Sequence, residues 1–226
     1  MQFGQLPAPV QSSGFPANYP YAVSSPLPSA LLRPLQQPLY DSDVLLAPGV
    51  TQNQIQFFQR ALGQNDAGNV VKTQAETNLG QSGTLANPLE FSVFAFNFVI
   101  QPAVTLADFV AIMTASTFQF TYTGNRSYLW IPLNRIPTGI GPEGFAATTV
   151  GATTLSQVKN GVGHISNTYR FTIGKSALRI RPTENFQVIL AWPRAVPVIV
   201  GVAQPGGGLN GVRLQVFILG LSWTPL

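Results

Sequence analysis

The second half of the chain alternates apolar and polar residues with the period of β-strands. Phe118, Phe120 and Tyr122 alternate with threonine and glutamine in segment 117–123, and a second run at 127–133 follows a Gly-Asn pair. Two such runs joined by turn residues are typical of a β-hairpin. Hydrophobic patterning and the turn residues between runs together predict eight strands, at 90–101, 117–123, 127–133, 168–173, 177–181, 185–192, 195–203 and 211–223.

Strand 90–101 has apolar residues at both its odd- and its even-numbered positions. Its residues would form two faces, with Phe94, Phe96, Phe98 and Ile100 on one and Phe91, Val93, Ala95 and Val99 on the other. Because residues i and i+2 share a face, this pattern predicts a strand that is covered on both sides.

One short helix interrupts the strands, at 105–116. Thr105 and Asp108 have the spacing of a capping box, and Leu106, Phe109, Val110 and Met113 recur at helical spacing. Residues 51–63 fit a short helix or a strand equally well. Residues 134–166 are rich in Gly, Thr, Ala and Pro, so we predict loops there.

These elements predict an all-β fold, a two-sheet sandwich or a barrel, in a single domain at 49–226. Residues 1–48 form a separate segment that contains nine of the nineteen prolines. Proline disfavours helix, and the segment is too apolar for an ordinary solvated linker. We therefore predict an extended arm that orders by lying over a neighbouring subunit; the alternative is a disordered tail.

The chain has few side chains of the types that take part in catalysis. Charged residues make up 9% of the chain, against about 25% in an ordinary soluble domain, and there is one histidine and no cysteine. An enzyme needs titratable groups that converge on a pocket, so we predict a non-enzymatic protein whose surface contacts other protein. No Lys or Arg precedes Arg33, and no apolar stretch reaches the roughly 20 residues of a membrane helix, so neither a secretory signal nor a spanning helix is expected.

Charge is distributed unevenly along the chain. Residues 1–120 contain three basic and six acidic side chains, whereas residues 121–226 contain nine basic and two acidic ones. An electropositive face toward nucleic acid or anionic lipid would explain this excess, as would arginines that pair across subunit interfaces. The second interpretation is favoured, because only two of the seven arginines are close in sequence; they are Arg126, Arg135, Arg170, Arg179, Arg181, Arg194 and Arg213.

No catalytic, cofactor-binding or metal-binding residue is assigned. His164 has no nucleophile or carboxylate near it in sequence. Asp41 and Asp43 could offer two oxygens to calcium, but a solvated turn is the simpler interpretation. The glycines at 206–208 and 139–144 lack the lysine or the strand-to-helix context of phosphate-binding loops.

The aromatic residues point to packing. Most of the 24 alternate within the predicted strands, as a sandwich core requires. Trp130 and Trp223 are placed instead at an edge or an interface, because the indole N–H needs a hydrogen-bond partner.

Three stretches resemble the jelly-roll capsid proteins of tailless icosahedral bacteriophages. They are Thr77–Phe91 (TNLGQSGTLANPLEF), Tyr128–Gly139 (YLWIPLNRIPTG) and Val212–Pro225 (VRLQVFILGLSWTP), similar to the opening, the middle and the final strand of such a subunit. The resemblance implies an eight-stranded viral jelly roll with a short inserted helix and an extended N-terminal arm.

The resemblance also implies a function and partners. The chain would be a structural virion protein, assembled in the host cytoplasm into an icosahedral shell through arm exchange and edge contacts. Its partners would be identical subunits and other capsid proteins, with an internal membrane or the packaged genome meeting the arginine-rich half. No cofactor and no small-molecule substrate is implied.

Two other classes are open as alternatives. A carbohydrate-binding or appendage sandwich of lectin type would need a cluster of Asp, Asn and Trp, which the sequence does not show. An outer-membrane β-barrel would need an export signal and strands with one polar face. The strand at 90–101, apolar at both parities, disfavours it.

Overall fold

A computed structural model describes ten stretches of the chain. These are residues 32–46, 52–100, 104–123, 126–136, 142–150, 153–160, 169–170, 178–192, 202–204 and 208–225. They contain thirteen strands and one α-helix, α1 (Leu106–Ala115). The strands are β1 (Leu32–Leu35), β2 (Leu39–Leu46), β3 (Gln54–Phe57), β4 (Glu90–Ile100), β5 (Thr117–Tyr122), β6 (Arg126–Pro132), β7 (Pro142–Val150), β8 (Thr153–Asn160), β9 (Tyr169–Arg170), β10 (Leu178–Ile180), β11 (Phe186–Ala191), β12 (Val202–Gln204) and β13 (Gly208–Pro225).

The larger of the two principal sheets is built around β13. This strand pairs antiparallel with β4 along one side and with β2 along the other. β10 and β9 extend the sheet beyond β4, while β1 and β12 pair with the two ends of β13. The central strand order is therefore β2–β13–β4–β10.

The second sheet has four antiparallel strands in the order β3–β11–β5–β6. The rings of Phe118 and Phe120 on β5 contact that of Phe96 on β4, with centroids 5.5 and 5.0 Å apart. The apolar inner sides of both sheets thus form one core, as an all-β sandwich requires.

A bulge in β4 corrects the prediction of two apolar faces. Leu219 and Gly220, adjacent on β13, pair with Ala95 and Val93, so Phe94 is an extra residue on β4. The extra residue shifts the alternation by one. As a result, the residues on either side of it belong to the same core, namely Phe91 and Val93 before the bulge and Phe96, Phe98 and Ile100 after it.

Most predicted elements in the described stretches are confirmed. The strands at 90–101, 117–123, 127–133, 177–181, 185–192 and 211–223 correspond to β4, β5, β6, β10, β11 and β13, and β5 and β6 pair as the expected hairpin. Helix α1 begins at the N-cap Thr105, whose hydroxyl accepts a hydrogen bond from the backbone N–H of Asp108 at 3.1 Å. Of strands 168–173 and 195–203, only residues 169–170 and 202–203 are described.

The structure also contains strands that the pattern did not predict. Segment 134–166, predicted as loops, contains the antiparallel pair β7 and β8, and segment 51–63, which fits a helix or a strand, contains strand β3. Only Gly151 and Ala152 separate β7 from β8, a loop length and a glycine that are typical of a hairpin. Strands β1 and β2 pair with β13, so the sheet begins before the boundary predicted at residue 48.

Candidate functional site

An edge loop, residues 58–89, leads from β3 in one sheet to β4 in the other and covers the free side of β2. Asp41 forms an antiparallel bridge with Thr77. The backbone N–H of Tyr40 donates to Asn78 Oδ1 at 3.0 Å, and the N–H of Asn78 donates to the Tyr40 carbonyl at 3.3 Å. The loop therefore protects an edge strand that would otherwise present unpaired backbone groups.

A cluster of charged side chains joins this loop to β2. Lys72 Nζ lies 2.8 Å from Asp41 Oδ1 and 3.9 Å from Asp43 Oδ2. Arg60 Nη1 lies 2.5 Å from the same Asp43 oxygen. The side chains of Lys72 and both aspartates are 0% exposed, whereas that of Arg60 is 41% exposed. We call Asp41, Asp43, Arg60 and Lys72 the ionic cluster.

The ionic cluster lies on the core side of β2. Asp41 and Asp43 lie on the same face of β2 as Leu39 and Leu45, which belong to the hydrophobic core. Lysine is almost never fully buried unless it is paired, so the two carboxylates explain the position of Lys72. Burial raises the pKa of Asp41 to about 6, and the charge of Lys72 opposes this rise.

Backbone donors complete the coordination of both carboxylates. Asp43 Oδ1 accepts hydrogen bonds from the N–H of Val44 at 2.8 Å and of Ala67 at 2.7 Å. Asp41 Oδ2 accepts one from the N–H of Phe58 at 2.5 Å. Phe58 has a φ of 68°, a left-handed conformation that bulky residues rarely adopt. Asp41 therefore holds the chain where it turns out of β3 into the edge loop.

On the outer side of the same sheet a second ion pair fixes the edge loop. Arg213 on β13 donates from Nη2 to Asp66 Oδ2 at 2.8 Å, and the Asp66 side chain is fully buried. Asp66 Oδ1 accepts the N–H of Val70 at 2.8 Å. The edge loop therefore contacts β2 on the inner side of the sheet and β13 on its outer side.

These contacts overturn the prediction of a solvated turn at Asp41 and Asp43. Both residues lie within β2 and are fully buried, and their oxygens accept hydrogen bonds from protein donors. Lys72 and Arg60 were not singled out from the sequence. One signal existed: in a chain with so few charges, each cation near an Asp pair is a candidate partner.

The outward side of the four-stranded sheet is a second feature of interest. Its described outward residues carry no charge; they are Gln54, Gln56, Thr117, Gln119, Thr121, Ser127, Trp130, Pro132, Gln187, Ile189 and Ala191. We call this surface the neutral face. One cross-strand row runs Gln56, Ile189, Gln119 and Trp130.

Trp130 dominates the neutral face. It lies on β6, the last strand of that sheet, and is 71% exposed. An exposed tryptophan on an uncharged sheet is typical of a contact surface, because interfaces are enriched in aromatic residues and depleted of charge. The prediction of an edge position for Trp130 is confirmed. The edge position predicted for Trp223 is wrong: it lies on β13, which pairs there with β1 on one side and β4 on the other. Trp223 is half-buried, and its indole N–H donates to Ser92 Oγ at 3.0 Å.

The other residues singled out in the sequence are either paired within the chain, exposed, or outside the described residues. Arg179 lies 3.2 Å from Glu90 Oε2, so this arginine, like Arg213, pairs within the chain. Arg135, Arg170 and Arg181 are exposed. His164, Arg194 and the glycines at 139–141 and 206–207 lie outside the described residues, as does the side chain of Arg126.

A depression of about 310 Å³ beside β3 is lined mainly by amide side chains and by Arg60. No acid–base pair lines it. Within the described stretches, no three His, Cys, Asp or Glu side chains converge as metal ligands. No helix in those stretches is both long and apolar enough to cross a membrane.

Comparison of the chain with protein-family models, with curated proteins and with solved structures found no match.

Proposed function

We propose that this chain is a structural virion protein, a jelly-roll capsid subunit that assembles with copies of itself into an icosahedral shell. The order of strands in the two sheets carries the proposal. The uncharged exposed face and the arm-like composition of the N-terminal segment add to it.

The strand order matches the jelly-roll plan. Take β2, β3, β4, β5, β6, the β9–β10 pair, β11 and β13 as strands one to eight. The larger sheet then has the order 1-8-3-6 and the smaller sheet 2-7-4-5. That arrangement arises when two Greek keys are wrapped into a sandwich, the fold of many viral capsid proteins and lectins. The strand predicted to open the fold, 90–101, is the third in this numbering, whereas the strand predicted to close it, 211–223, is the eighth.

The neutral face suits contact between identical subunits. Like charges brought together at an interface cost free energy, and a face without charge avoids that cost. Tryptophan is among the residue types that contribute most often and most strongly to binding at protein interfaces, and Trp130 is such a residue on this face. Assembly through this face would bury an indole ring that is 71% exposed in the isolated chain.

Residues 1–31 are the proposed exchanging arm. They contain six prolines and lead into β1, which pairs with the end of β13. At about 3.1 Å per residue in an extended conformation, the arm would reach roughly 95 Å. That reach is enough to cross a neighbouring subunit. The exposed arginines Arg135, Arg170 and Arg181 are the proposed contacts with a packaged genome or an internal membrane.

Assembly tests this function directly. The purified chain, alone and with sibling capsid proteins, is expected to form large oligomers in light scattering and shells or rings in negative-stain micrographs. A variant that lacks residues 1–31 is expected to keep its melting temperature but to form smaller oligomers. A full-length chain that stays monomeric at high concentration under both conditions would contradict the proposal.

Trp130→Glu is expected to abolish assembly without unfolding the subunit. Because the side chain is exposed, its replacement should change the free energy of unfolding by no more than about 0.5 kcal/mol. A charge within the neutral face, by contrast, would be desolvated on contact. Light scattering and thermal melting measure the two effects. Val110→Glu, at a 48% exposed site on α1, is the matched control and should still assemble.

A carbohydrate-binding sandwich is the second candidate, and the same tryptophan favours it. Trp130 is exposed beside Gln119 on the neutral face, an aromatic surface with an amide neighbour that could stack on and hydrogen-bond to a sugar ring. A glycan array separates the two functions. Glycan binding by a monomer that is lost in Trp130→Glu would favour the lectin.

A further inference from the structure

The ionic cluster contains a primary amine in contact with a carboxyl group, and neither side chain is accessible to solvent. Lys72 Nζ and Asp41 Oδ1 are 2.8 Å apart, and both side chains are 0% exposed. In solution an amine and a carboxylate do not condense, because hydration stabilises both ions and water competes for the product. Burial removes hydration, and fixed contact removes the entropic cost of bringing the groups together.

We propose that Lys72 and Asp41 form an intramolecular isopeptide bond, with Asp43 as the proton acceptor. The inference concerns the folded subunit and stands whether or not the chain assembles.

Asp41 has the surroundings of an electrophile. Its Oδ2 accepts the N–H of Phe58 at 2.5 Å, a donor placed to stabilise negative charge as the tetrahedral intermediate forms. Burial raises the pKa of this carboxyl to about 6, so the reactive neutral acid is more populated than in an ordinary aspartate, while the carboxylate still predominates at neutral pH.

Asp43 has the position of a base. Its Oδ2 lies 3.9 Å from Lys72 Nζ, and its Oδ1 is held by the N–H groups of Val44 and Ala67. Arg60 contacts the same Oδ2 from the loop side. At 3.9 Å the ammonium group and this oxygen are not hydrogen-bonded, so Lys72 must approach Asp43 by about 1 Å before the proton is transferred.

The reaction balances without any further reactant. Lys72 gives one ammonium proton to Asp43, and the free amine attacks Cγ of protonated Asp41. A C–N bond forms, the C–OH bond of Asp41 breaks, and the hydroxyl leaves as water with a second proton from nitrogen. The products are an amide, one water molecule and a protonated Asp43.

Mass spectrometry of the denatured wild-type chain is the decisive test. The linked protein is expected to be lighter than its sequence mass by one water molecule. Trypsin should then fail to cleave after Lys72, and the peptide 1–60 should be found joined to 61–126, because the Arg33–Pro34 bond resists trypsin. An unmodified mass with normal cleavage after Lys72 would overturn the proposal. So would a lost water without the joined peptide.

Two variants separate the bond from the fold. Lys72→Arg keeps a positive charge beside Asp41 but offers no amine to acylate, so its mass should be that of its sequence. Asp43→Asn keeps the shape but removes the base, and should slow linkage by about 100-fold or more. If Asp43→Asn links as fast as the wild type, Asp43 is not the proton acceptor. If a variant fails to fold, the wild-type measurement still decides.

Discussion

Replacing Gly220 with alanine is expected to destabilise the fold by about 3 kcal/mol or more. Gly220 lies on β13 beside the bulge of β4, where the two backbones approach closely. A Cβ atom built at this position would lie 1.9 Å from the carbonyl oxygen of Ser92 and 2.6 Å from the ring of Phe91. Because a backbone atom cannot swing aside as a side chain can, the central pair of strands would have to separate.

Urea unfolding of the purified variant measures this loss. Gly80→Ala is the matched control: nothing lies within 4 Å of its added Cβ, so its stability should change by no more than about 0.5 kcal/mol. Equal midpoints for Gly220→Ala and the wild type would mean that β4 and β13 are not paired with this bulge.

An element could be predicted from the sequence when the residues that specify it lie within the element itself. The β5–β6 hairpin and helix α1 are specified by their own residues: alternating aromatics and a Gly-Asn pair for one, Thr105 and Asp108 for the other. A reader of the sequence can find such signals locally. Strand order is different, because it depends on which distant strands pair.

The bulge at Phe94 illustrates the limit. Alternation along β4 predicts two apolar faces, but the pairing of β4 with Gly220 inserts an extra residue. The side chains that precede the bulge from one predicted set and those that follow it from the other therefore face one core. No pattern within 90–101 shows this, since the small residue that permits it lies in the last strand of the chain.

The ionic cluster shows the same limit for the candidate site. Asp41 and Asp43 share a strand face with leucines, yet two acidic residues in a proline-rich region suggest a turn. Their burial in the core is stabilised by the ammonium group of Lys72, which lies 31 residues beyond Asp41 along the chain. The edge loop brings the groups together, and its path could not be predicted from spacing. The edge position of Trp130, by contrast, was predicted from its residue type, although the same reasoning failed for Trp223, which lies on a central strand.

Removing the positive charge of Lys72 is expected to have the largest effect in the ionic cluster. Lys72→Met keeps an unbranched chain of similar length but leaves Asp41 and Asp43 buried without their ammonium partner. Breaking a buried pair in this way costs about 3–5 kcal/mol, because the remaining charge is uncompensated. The loss should appear as a urea midpoint lower than that of Lys72→Arg, which keeps the positive charge but cannot form the proposed amide. It should grow as the pH is raised, because burial and the loss of Lys72 raise the pKa of Asp41 and only the ionised carboxyl carries an uncompensated charge.

A double variant tests whether charge is the cause. Lys72→Met with Asp41→Asn removes both members of the pair, while the side-chain oxygen of the introduced asparagine can still accept the N–H of Phe58. Because a neutral amide is cheaper to bury than an unpaired carboxylate, the double variant should be more stable than Lys72→Met alone. Equal stability of the two variants would place the cost in lost packing, and a single variant as stable as the wild type would show that Lys72 does not anchor the edge loop to β2.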